Sequence, residues 1–233
     1  MSQDFRINNC GLIDRDKEII FIFNGKKYTG YKGDTLASAL LANGIHLIAR
    51  SFKYHRPRGI IAAGVEDANG KVQLYKNDTT EPNVNVTEVE LVEGLRIESQ
   101  NCWPSVSFDV GAINNLLNRF FPAGFYYKTF MWPKSFWYKV YEPFIRKAAG
   151  MGKASLDPDP DRYEHRYEHC DILVVGSGPS GISSALAAAK NGAQVILAED
   201  KPRFGGSLLT DNITIGNKNG DEWVNDAIAE LRS

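Results

Sequence analysis

The chain has 233 residues and carries 27 Lys and Arg against 28 Asp and Glu, for a net charge of −1. This balance gives no indication of the basic face that nucleic-acid-binding proteins usually present. Hydrophobic residues make up 43% and charged residues 24% of the chain, which excludes a mainly disordered protein. The length predicts one or two domains.

The three cysteines, Cys10, Cys102 and Cys170, lie far apart in the sequence. Because no pair has the CxxC spacing, zinc-ribbon and iron–sulfur ligand patterns are absent, and no disulfide framework is predicted. The amino terminus lacks the pattern of a signal peptide, and no apolar run reaches about 18 residues. We therefore expect a soluble, cytoplasmic protein without a membrane partner.

The first predicted elements form a hairpin. The run Ile19–Phe23 is β-branched and aromatic, which favours a strand, and Lys26–Tyr31 is the predicted returning strand. Between them, Asn24–Gly25 is the strongest short signal for a type I′ turn, since both central residues of that turn need positive φ. This pattern predicts an antiparallel pair.

A helix follows the hairpin. Asp34 or Thr35 can accept the free N–H groups of its first turn, and Gly44 is the residue that ends it. Later strands are predicted at Val72–Tyr75 and Asn83–Thr87. Two strands, a helix and further strands are the order of a β-grasp, ferredoxin-like domain.

The loop Arg50–Gly59 follows this helix, where plant-type ferredoxins carry their cluster ligands. It contains no cysteine, so no iron–sulfur cluster is predicted. The loop is basic and aromatic instead. Two interpretations stay open: a site for an anion or a partner, since Arg side chains match phosphates and carboxylates, or a solvated loop with packed aromatic rings.

Residues 120–144 hold twelve of the 26 aromatic residues of the chain. A membrane-surface patch and a lining for a flavin are possible functions, but we favour packing in a core and between subunits. Residues 150–168 have the composition of a linker. His165 and His169 have a spacing that would allow metal chelation on a helix, but a third ligand is lacking, and no metal site is predicted.

The strongest chemical signal is a βαβ pattern near the end of the chain. An apolar strand, Cys170–Val175, leads into the glycine-rich loop Gly176–Gly181, and a helix follows over Ile182–Lys190. The second strand, Ala193–Ala198, ends at Glu199. This is the dinucleotide fingerprint of a Rossmann-like domain. We expect the first strand to be buried on both faces, as in parallel sheets.

Each residue of the glycine-rich loop has a physical task. Gly176 allows the tight turn, Gly178 lets the backbone approach a diphosphate, and Gly181 allows close packing of helix and strand. The free N–H groups near Ser180 and Gly181 face that diphosphate. The cofactor-binding residues predicted in this loop are Gly176, Gly178, Pro179, Ser180 and Gly181.

The predicted site continues beyond the second strand. Glu199 can accept hydrogen bonds from the adenosine ribose, and its carboxylate repels a 2′-phosphate, so the site should prefer NAD or FAD over NADP. A basic residue before a Gly-Gly pair is typical of two-dinucleotide-binding flavoproteins. The further predicted cofactor-binding residues are Asp200, Lys201, Gly205, Gly206 and Ser207. The motif alone leaves the choice between NAD and FAD open.

Three segments resemble a known family: Thr35–Gly44, Arg50–Ile60 and Gly64–Leu74 are similar to the amino-terminal part of the alpha subunit of heterotetrameric sarcosine oxidase. The resemblance implies a cysteine-free relative of the ferredoxin domain, and NAD bound by this chain. The residues that it places at NAD are Ser180, Glu199, Asp200, Lys201 and Ser207. FAD is the alternative ligand.

The same resemblance implies an activity and partners. The family oxidatively demethylates sarcosine to glycine, with hydrogen peroxide and with formaldehyde or methylene-tetrahydrofolate as products. FAD and FMN enter its complex through the beta subunit, and the partners are the beta, gamma and delta subunits. No catalytic residue is assigned to this chain. Two alternatives stay open: the alpha chain of a related FAD-dependent amine or amino-acid dehydrogenase, and a non-catalytic interaction module that carries a dinucleotide.

The predicted fold class is α+β followed by α/β. A β-grasp domain without cluster cysteines occupies residues 1–100, an aromatic packing segment and linker occupy 101–168, and residues 169–233 begin a Rossmann-like domain. A strand at Ile213–Ile215 and a helix at Glu222–Leu231 are also predicted. Because a doubly wound sheet needs two βαβ halves, we expect the chain to be part of a longer subunit.

Overall fold

The computed structural model describes residues 3–8, 11–76, 79–124, 130, 132–211 and 213–233. The chain divides into two compact units, Met1–Pro160 and Asp161–Ser233, which are described separately. The division falls inside the stretch predicted as a linker. No helix in the described ranges is long and apolar enough to cross a lipid bilayer.

The first unit contains seven described strands and three α-helices. The strands are β1 (Asp14–Phe23), β2 (Lys26–Lys32), β3 (Ala49–Arg50), β4 (Pro57–Arg58), β5 (Lys71–Lys76), β6 (Thr79–Asn85) and β7 (Arg96–Ser99). The helices are α1 (Leu36–Ala42), α2 (Ile113–Leu116) and α3 (Glu142–Ala149). Short 3₁₀ turns lie at Gly64–Glu66, Val110–Ala112 and Asn118–Phe120, and a π-helical turn lies at Trp137–Tyr141.

Five strands form one mixed sheet in the order β2-β1-β7-β5-β6. The pair β1 and β7 is parallel, and the other neighbours are antiparallel. The turn between β1 and β2 has φ values of 50° at Asn24 and 77° at Gly25, as the type I′ prediction requires. This order, with α1 after the first hairpin, is the predicted β-grasp arrangement.

The core of the first unit lies between α1 and the sheet. Leu36 and Leu40 of α1 form one buried cluster with Phe21, Val72 and Ile97 of the strands. The amino terminus of α1 is capped as predicted, because the Thr35 hydroxyl accepts a hydrogen bond from the N–H of Ser38. Gly44 follows the helix with φ of 74°, the left-handed conformation expected of a residue that ends a helix.

Strand β6 differs from its predicted position. It begins at Thr79, earlier than the predicted Asn83, and ends before Val86. The strand starts early because Thr79 and Thr80 continue the ladder with β5. It ends early because the N–H of Val86 bonds to Gly70 rather than to a strand partner.

The second unit contains four strands and two helices: β8 (Ile172–Val175), α4 (Pro179–Lys190), β9 (Val195–Ala198), β10 (Thr214–Ile215), β11 (Lys218–Asn219) and α5 (Gly220–Leu231). Strands β8 and β9 pair in parallel with α4 between them in sequence, which is the predicted βαβ unit. Residues of α4 and α5 share one core, in which Ile182 packs with Leu208 and Val224.

The expectation that the first strand of the βαβ unit is buried on both faces is wrong for this structure. Leu173 is 59% and Val175 80% exposed. Among the described residues, β8 has a ladder with β9 alone. The predicted strand at Ile213–Ile215 is present as Thr214–Ile215, but it pairs with β11 in a separate hairpin.

In the first unit, the described residues of the aromatic stretch 120–144 do not form a core. Its large rings at Phe120, Trp132, Tyr138 and Phe144 are exposed in the described part of the stretch. Residues 125–129 and 131, and also Cys10, lie outside the described residues. Packing between subunits remains a prediction for this stretch.

Candidate dinucleotide-binding site

The glycine-rich loop joins β8 to α4 in the second unit. Gly176 has φ of 94°, and its N–H donates to the carbonyl of Ala198 at 2.8 Å, which ties the loop to the end of β9. A Cβ atom at Gly181 would overlap the carbonyl oxygen of Gly176. The tasks predicted for these two glycines, a tight turn and close packing, therefore agree with the geometry.

Gly178 is the residue before α4, and the space beside it is open. A Cβ atom built on Gly178 would meet no atom of the chain within 4 Å. Pro179 occupies the first turn of α4, and no side chain caps the amino terminus of this helix. A helix start with free N–H groups and open space in front is suited to an anionic group such as a diphosphate.

The second glycine pair passes directly beside the first loop. Gly205 and Gly206 have φ values of 127° and 54°. A Cβ atom at Gly206 would lie 2.9 Å from the Cα of Gly178. The two glycine motifs, which are 28 positions apart in sequence, are thus in contact, and a side chain at Gly206 would press against Gly178.

Glu199 lies at the end of β9 and faces the glycine-rich loop. Its carboxylate accepts hydrogen bonds from the N–H of Ser177 at 2.7 Å, from the Ser177 hydroxyl, and from the N–H of Lys201 at 3.0 Å. Partial burial of Glu199 raises its pKa, but the hydrogen bonds from Ser177 and from the N–H of Lys201 outweigh this and lower the pKa to about 2. Glu199 is therefore ionised at neutral pH.

Ser177 is a residue of the site that the sequence interpretation missed. It is fully buried, it binds Glu199, and its carbonyl accepts a hydrogen bond from the N–H of Gly205 at 3.0 Å. Ser177 thereby joins the first loop, the end of β9 and the second glycine pair. It occupies a variable position of the fingerprint, so the motif gave no signal for it.

The remaining predicted residues lie at the rim of this cluster. Ser180, Asp200, Lys201 and Ser207 are exposed. The Asp200 side chain retains 83% exposure and lies 3.9 Å from the ammonium group of Lys201. The structure therefore brings the glycines and Glu199 together and leaves these four side chains open to solvent.

In the Arg50–Gly59 loop of the first unit, several polar side chains contact other residues of the chain. Arg50 Nε donates to the Val106 carbonyl at 2.9 Å, and the Tyr54 hydroxyl donates to the Phe121 carbonyl at 2.6 Å. His55 Nδ1 lies 2.7 Å from the carboxylate of Asp109. These contacts favour a structural role for the loop over a free anion site.

The stretch that carries His165 and His169 contains no helix, so the spacing proposed for chelation is not realised there. Among the residues that the structure describes, no group of three or more His, Cys, Asp and Glu side chains is placed to hold a metal ion.

Comparisons with known families match both units. Residues 16–102 match a family described as "2Fe-2S iron-sulfur cluster binding domain", and residues 171–233 match one described as "FAD dependent oxidoreductase". The chain is 53% identical to sarcosine oxidase subunit alpha of Rhizobium meliloti (strain 1021), over 98% of this chain and 23% of the relative. It is 28% identical to the subunit of the same name from Corynebacterium sp. (strain U-96), over 94% of this chain and 18% of that protein.

The chain is thus similar to part of the sarcosine oxidase alpha subunits of three sources. It spans about a quarter of the length of the first of these relatives. The solved structure of L-proline dehydrogenase from P. horikoshii has a TM-score of 0.50 and 20% identity, over 94% of this chain and 32% of that one. With the two family matches, this likeness confirms the predicted fold class, ferredoxin-like and then Rossmann-like.

The iron–sulfur cluster named by the first family does not fit this chain. A [2Fe–2S] cluster is held by four ligands, usually cysteine thiolates, whereas Cys102 is the one cysteine within residues 16–102. Burial raises the pKa of the Cys102 thiol to about 11, and the charge of Asp109 adds to this effect. The first unit therefore keeps the shape of a cluster-binding domain without its ligands.

A dinucleotide does fit the second unit. The open space at Gly178 lies beside the start of α4, and Glu199 is ionised at the end of the neighbouring strand. These are the positions at which Rossmann-like domains hold the diphosphate and the adenosine ribose. The match to the FAD-dependent family agrees with this geometry.

Proposed function

We propose that residues 171–233 bind the adenosine diphosphate part of FAD or NAD. The observation that carries this proposal is the open space at Gly178, which lies in front of an uncapped helix start. Glu199 supports it, because an ionised carboxylate accepts hydrogen bonds from ribose hydroxyls and repels a 2′-phosphate. The cofactor-binding set stays as predicted, with Ser177 added as the residue that orients Glu199.

Two ligands remain in competition at this site. The match to an FAD-dependent family favours FAD, and the resemblance to the sarcosine oxidase alpha subunit favours NAD. Both carry the same adenosine diphosphate, so the described residues do not separate them. When bound, either cofactor supplies a ring that accepts or donates a hydride, while this chain supplies binding and orientation.

For the whole protein we propose the activity that the relatives' name states, the oxidation of sarcosine in a cytoplasmic complex of several subunits. The products would be glycine, hydrogen peroxide, and formaldehyde or methylene-tetrahydrofolate. The proposed partners are beta, gamma and delta subunits, with FAD and FMN held through beta. None of the described residues is proposed as catalytic. Peroxide production with sarcosine would distinguish this activity from that of a related dehydrogenase, which needs a dye as electron acceptor.

The substitution Gly178→Val tests the dinucleotide site. A Cβ atom at Gly178 meets no atom of the chain within 4 Å, so we expect the fold to persist while the valine side chain excludes the diphosphate. We expect the purified protein to lose its bound dinucleotide, measured by acid extraction and mass spectrometry, which also identifies FAD or NAD.

The control is Ala187→Val, which adds methyl groups on an exposed position of the same helix. It should leave the bound dinucleotide unchanged. Full occupancy in Gly178→Val would contradict the proposed site.

A further inference from the structure

A nearly continuous helical run from Val110 to Phe120 presents apolar side chains to solvent. It consists of a 3₁₀ turn, α2 and a second 3₁₀ turn. Its apolar residues recur three and four positions apart, a spacing that places them on one side of a helix. They are all exposed: Val110 49%, Ile113 57%, Leu116 81%, Leu117 41% and Phe120 75%. We call these five side chains the apolar side of the run.

Two asparagines of the same run attach it to the Arg50–Gly59 loop. Asn115 Oδ1 accepts a hydrogen bond from Arg56 Nε at 2.8 Å, and Asn114 Nδ2 donates to the Lys53 carbonyl at 3.4 Å. A surface helix ordinarily buries its apolar side and exposes its polar side. Here the apolar side is exposed, and the hydrogen bonds that link Asn114 and Asn115 to the Arg50–Gly59 loop help to hold the run in this position.

Buried groups fix the orientation of the run. The Asp109 carboxylate accepts hydrogen bonds from the N–H groups of Gly111 and Trp103, both at 3.0 Å, and it also contacts the His55 ring at 2.7 Å. Asp109 and His55 are both buried. A Cβ atom at Gly111 would overlap the His55 ring, so the run lies closely against it. The run cannot turn its apolar side inward without breaking these contacts.

The stretch around the run is cationic, although the whole chain is balanced. Residues 103–153 contain seven Lys and Arg and two Asp and Glu. Of the two acidic residues, Asp109 is buried and Glu142 forms an ion pair with Arg146. Positive side chains are exposed at Arg119, within the run, and at Arg56, which contacts Asn115. A partner that covers the apolar side therefore gains from carboxylates at its rim.

We propose that the apolar side of the run is a docking surface for a separate polypeptide, which brings an apolar groove bordered by Asp and Glu. Exposed contiguous apolar surface marks interaction sites, and a charged rim selects the partner. This inference rests on the multi-subunit part of the proposed function, and it names the surface and the chemistry of the partner.

Photocrosslinking in the assembled protein tests the proposal. A photoreactive phenylalanine derivative is placed at position 116 of the full protein, expressed in its own cells. Position 61 is the control, because Ile61 is 76% exposed in the same unit and lies outside the run. We expect position 116 to crosslink to one separate polypeptide, at an apolar segment flanked by Asp and Glu, and position 61 to give no such product.

Other crosslinking results would contradict the proposal. Crosslinks from position 116 to a second copy of this chain, to a later part of the same polypeptide, to lipid, or to nothing would overturn the proposal. A crosslink to a separate polypeptide at a segment rich in Lys and Arg would overturn the partner's chemistry.

Two substitutions of opposite charge at Leu116 give an independent test of the partner's charge. Leu116→Glu should weaken the affinity for the crosslinked partner at least tenfold, and Leu116→Lys should weaken it less, because the partner's rim is acidic. Ile61→Glu should have no effect. Since Leu116 is exposed, thermal melting should show all three variants folded. If the Leu116→Glu variant assembles normally, the proposed docking surface is contradicted, while the proposal of a multi-subunit protein stands. If the unsubstituted protein purifies without any partner, both proposals are contradicted.

Discussion

At Ser177, a buried hydroxyl and a backbone N–H hold the carboxylate of Glu199, while Gly205 donates to the Ser177 carbonyl. Hydrogen bonds to a charged group contribute more to stability than bonds between neutral groups. A single small side chain therefore joins Glu199, the first loop and the second glycine pair.

Replacing Ser177 by Ala should destabilise the second unit. The change removes the hydroxyl bond to Glu199 and leaves the backbone bond, for an expected loss of about 2 kcal/mol. Denaturant unfolding measures this loss. Ser180→Ala, at an exposed position of the same loop, is the control and should change stability by less than about 0.5 kcal/mol. Equal stability of the two variants would show that the Ser177 hydroxyl does not orient Glu199.

At the scale of elements, side chains of β5 and β6 hold the extended segment after α3 on the large sheet. The Gln73 amide of β5 donates to the Lys153 carbonyl and accepts from the Lys153 N–H, both at 3.0 Å. Thr80 of β6 also donates to the same carbonyl, at 2.8 Å. Gly152 permits this contact, because a Cβ atom there would overlap Gln73 and Gln100.

The substitution Gln73→Ala should release this segment. Loss of both amide bonds should raise the hydrogen exchange rate of the Lys153 N–H by about tenfold, the equivalent of one net hydrogen bond. Mass-spectrometric hydrogen exchange resolves the change. Gln194→Ala removes an exposed glutamine elsewhere and should leave that rate unaltered. Unchanged exchange in Gln73→Ala would mean that other contacts hold the segment.

Elements defined by neighbouring residues were predictable from the sequence. The Asn24–Gly25 turn, the Thr35 cap and the Gly176–Gly181 loop each depend on a few consecutive residues with a known conformational preference. The contact between Gly206 and Gly178, and the contact between His55 and Asp109 across 54 positions, depend on tertiary packing. Local sequence patterns carry no signal for such pairs. Because the contact between His55 and Asp109 helps to hold the run from Val110 to Phe120, the exposure of its apolar side could not be predicted from the sequence.

At the scale of the whole molecule, the chain passes from the first compact unit to the second through a stretch without helices or strands. Residues 161–169 carry exposed side chains throughout, among them Tyr167 at 100% exposure. The fold of each unit followed from the order of its predicted elements. The exposure of β8 did not, because burial of a strand depends on neighbours that need not be near it in sequence.

Limited trypsin digestion should cut this stretch first. Arg162 and Arg166 are exposed and lie outside regular structure, where backbone enters a protease site at low cost. Mass spectrometry should find early products that begin at residue 163 or 167. Replacing both arginines by Gln should slow the first cut. Early cleavage at Arg50, whose side chain is 11% exposed, would instead indicate that the first unit opens readily.

The partly buried thiol of Cys102 has a practical consequence for chemical labelling. Alkylating reagents and peroxide attack the thiolate, and a pKa of about 11 leaves only a small fraction of Cys102 in that form at neutral pH. In the native protein, maleimide reagents should therefore leave Cys102 unmodified. Once Cys10 and Cys170 are replaced, a single probe could be introduced by substitution at an exposed position of the first unit without modifying Cys102.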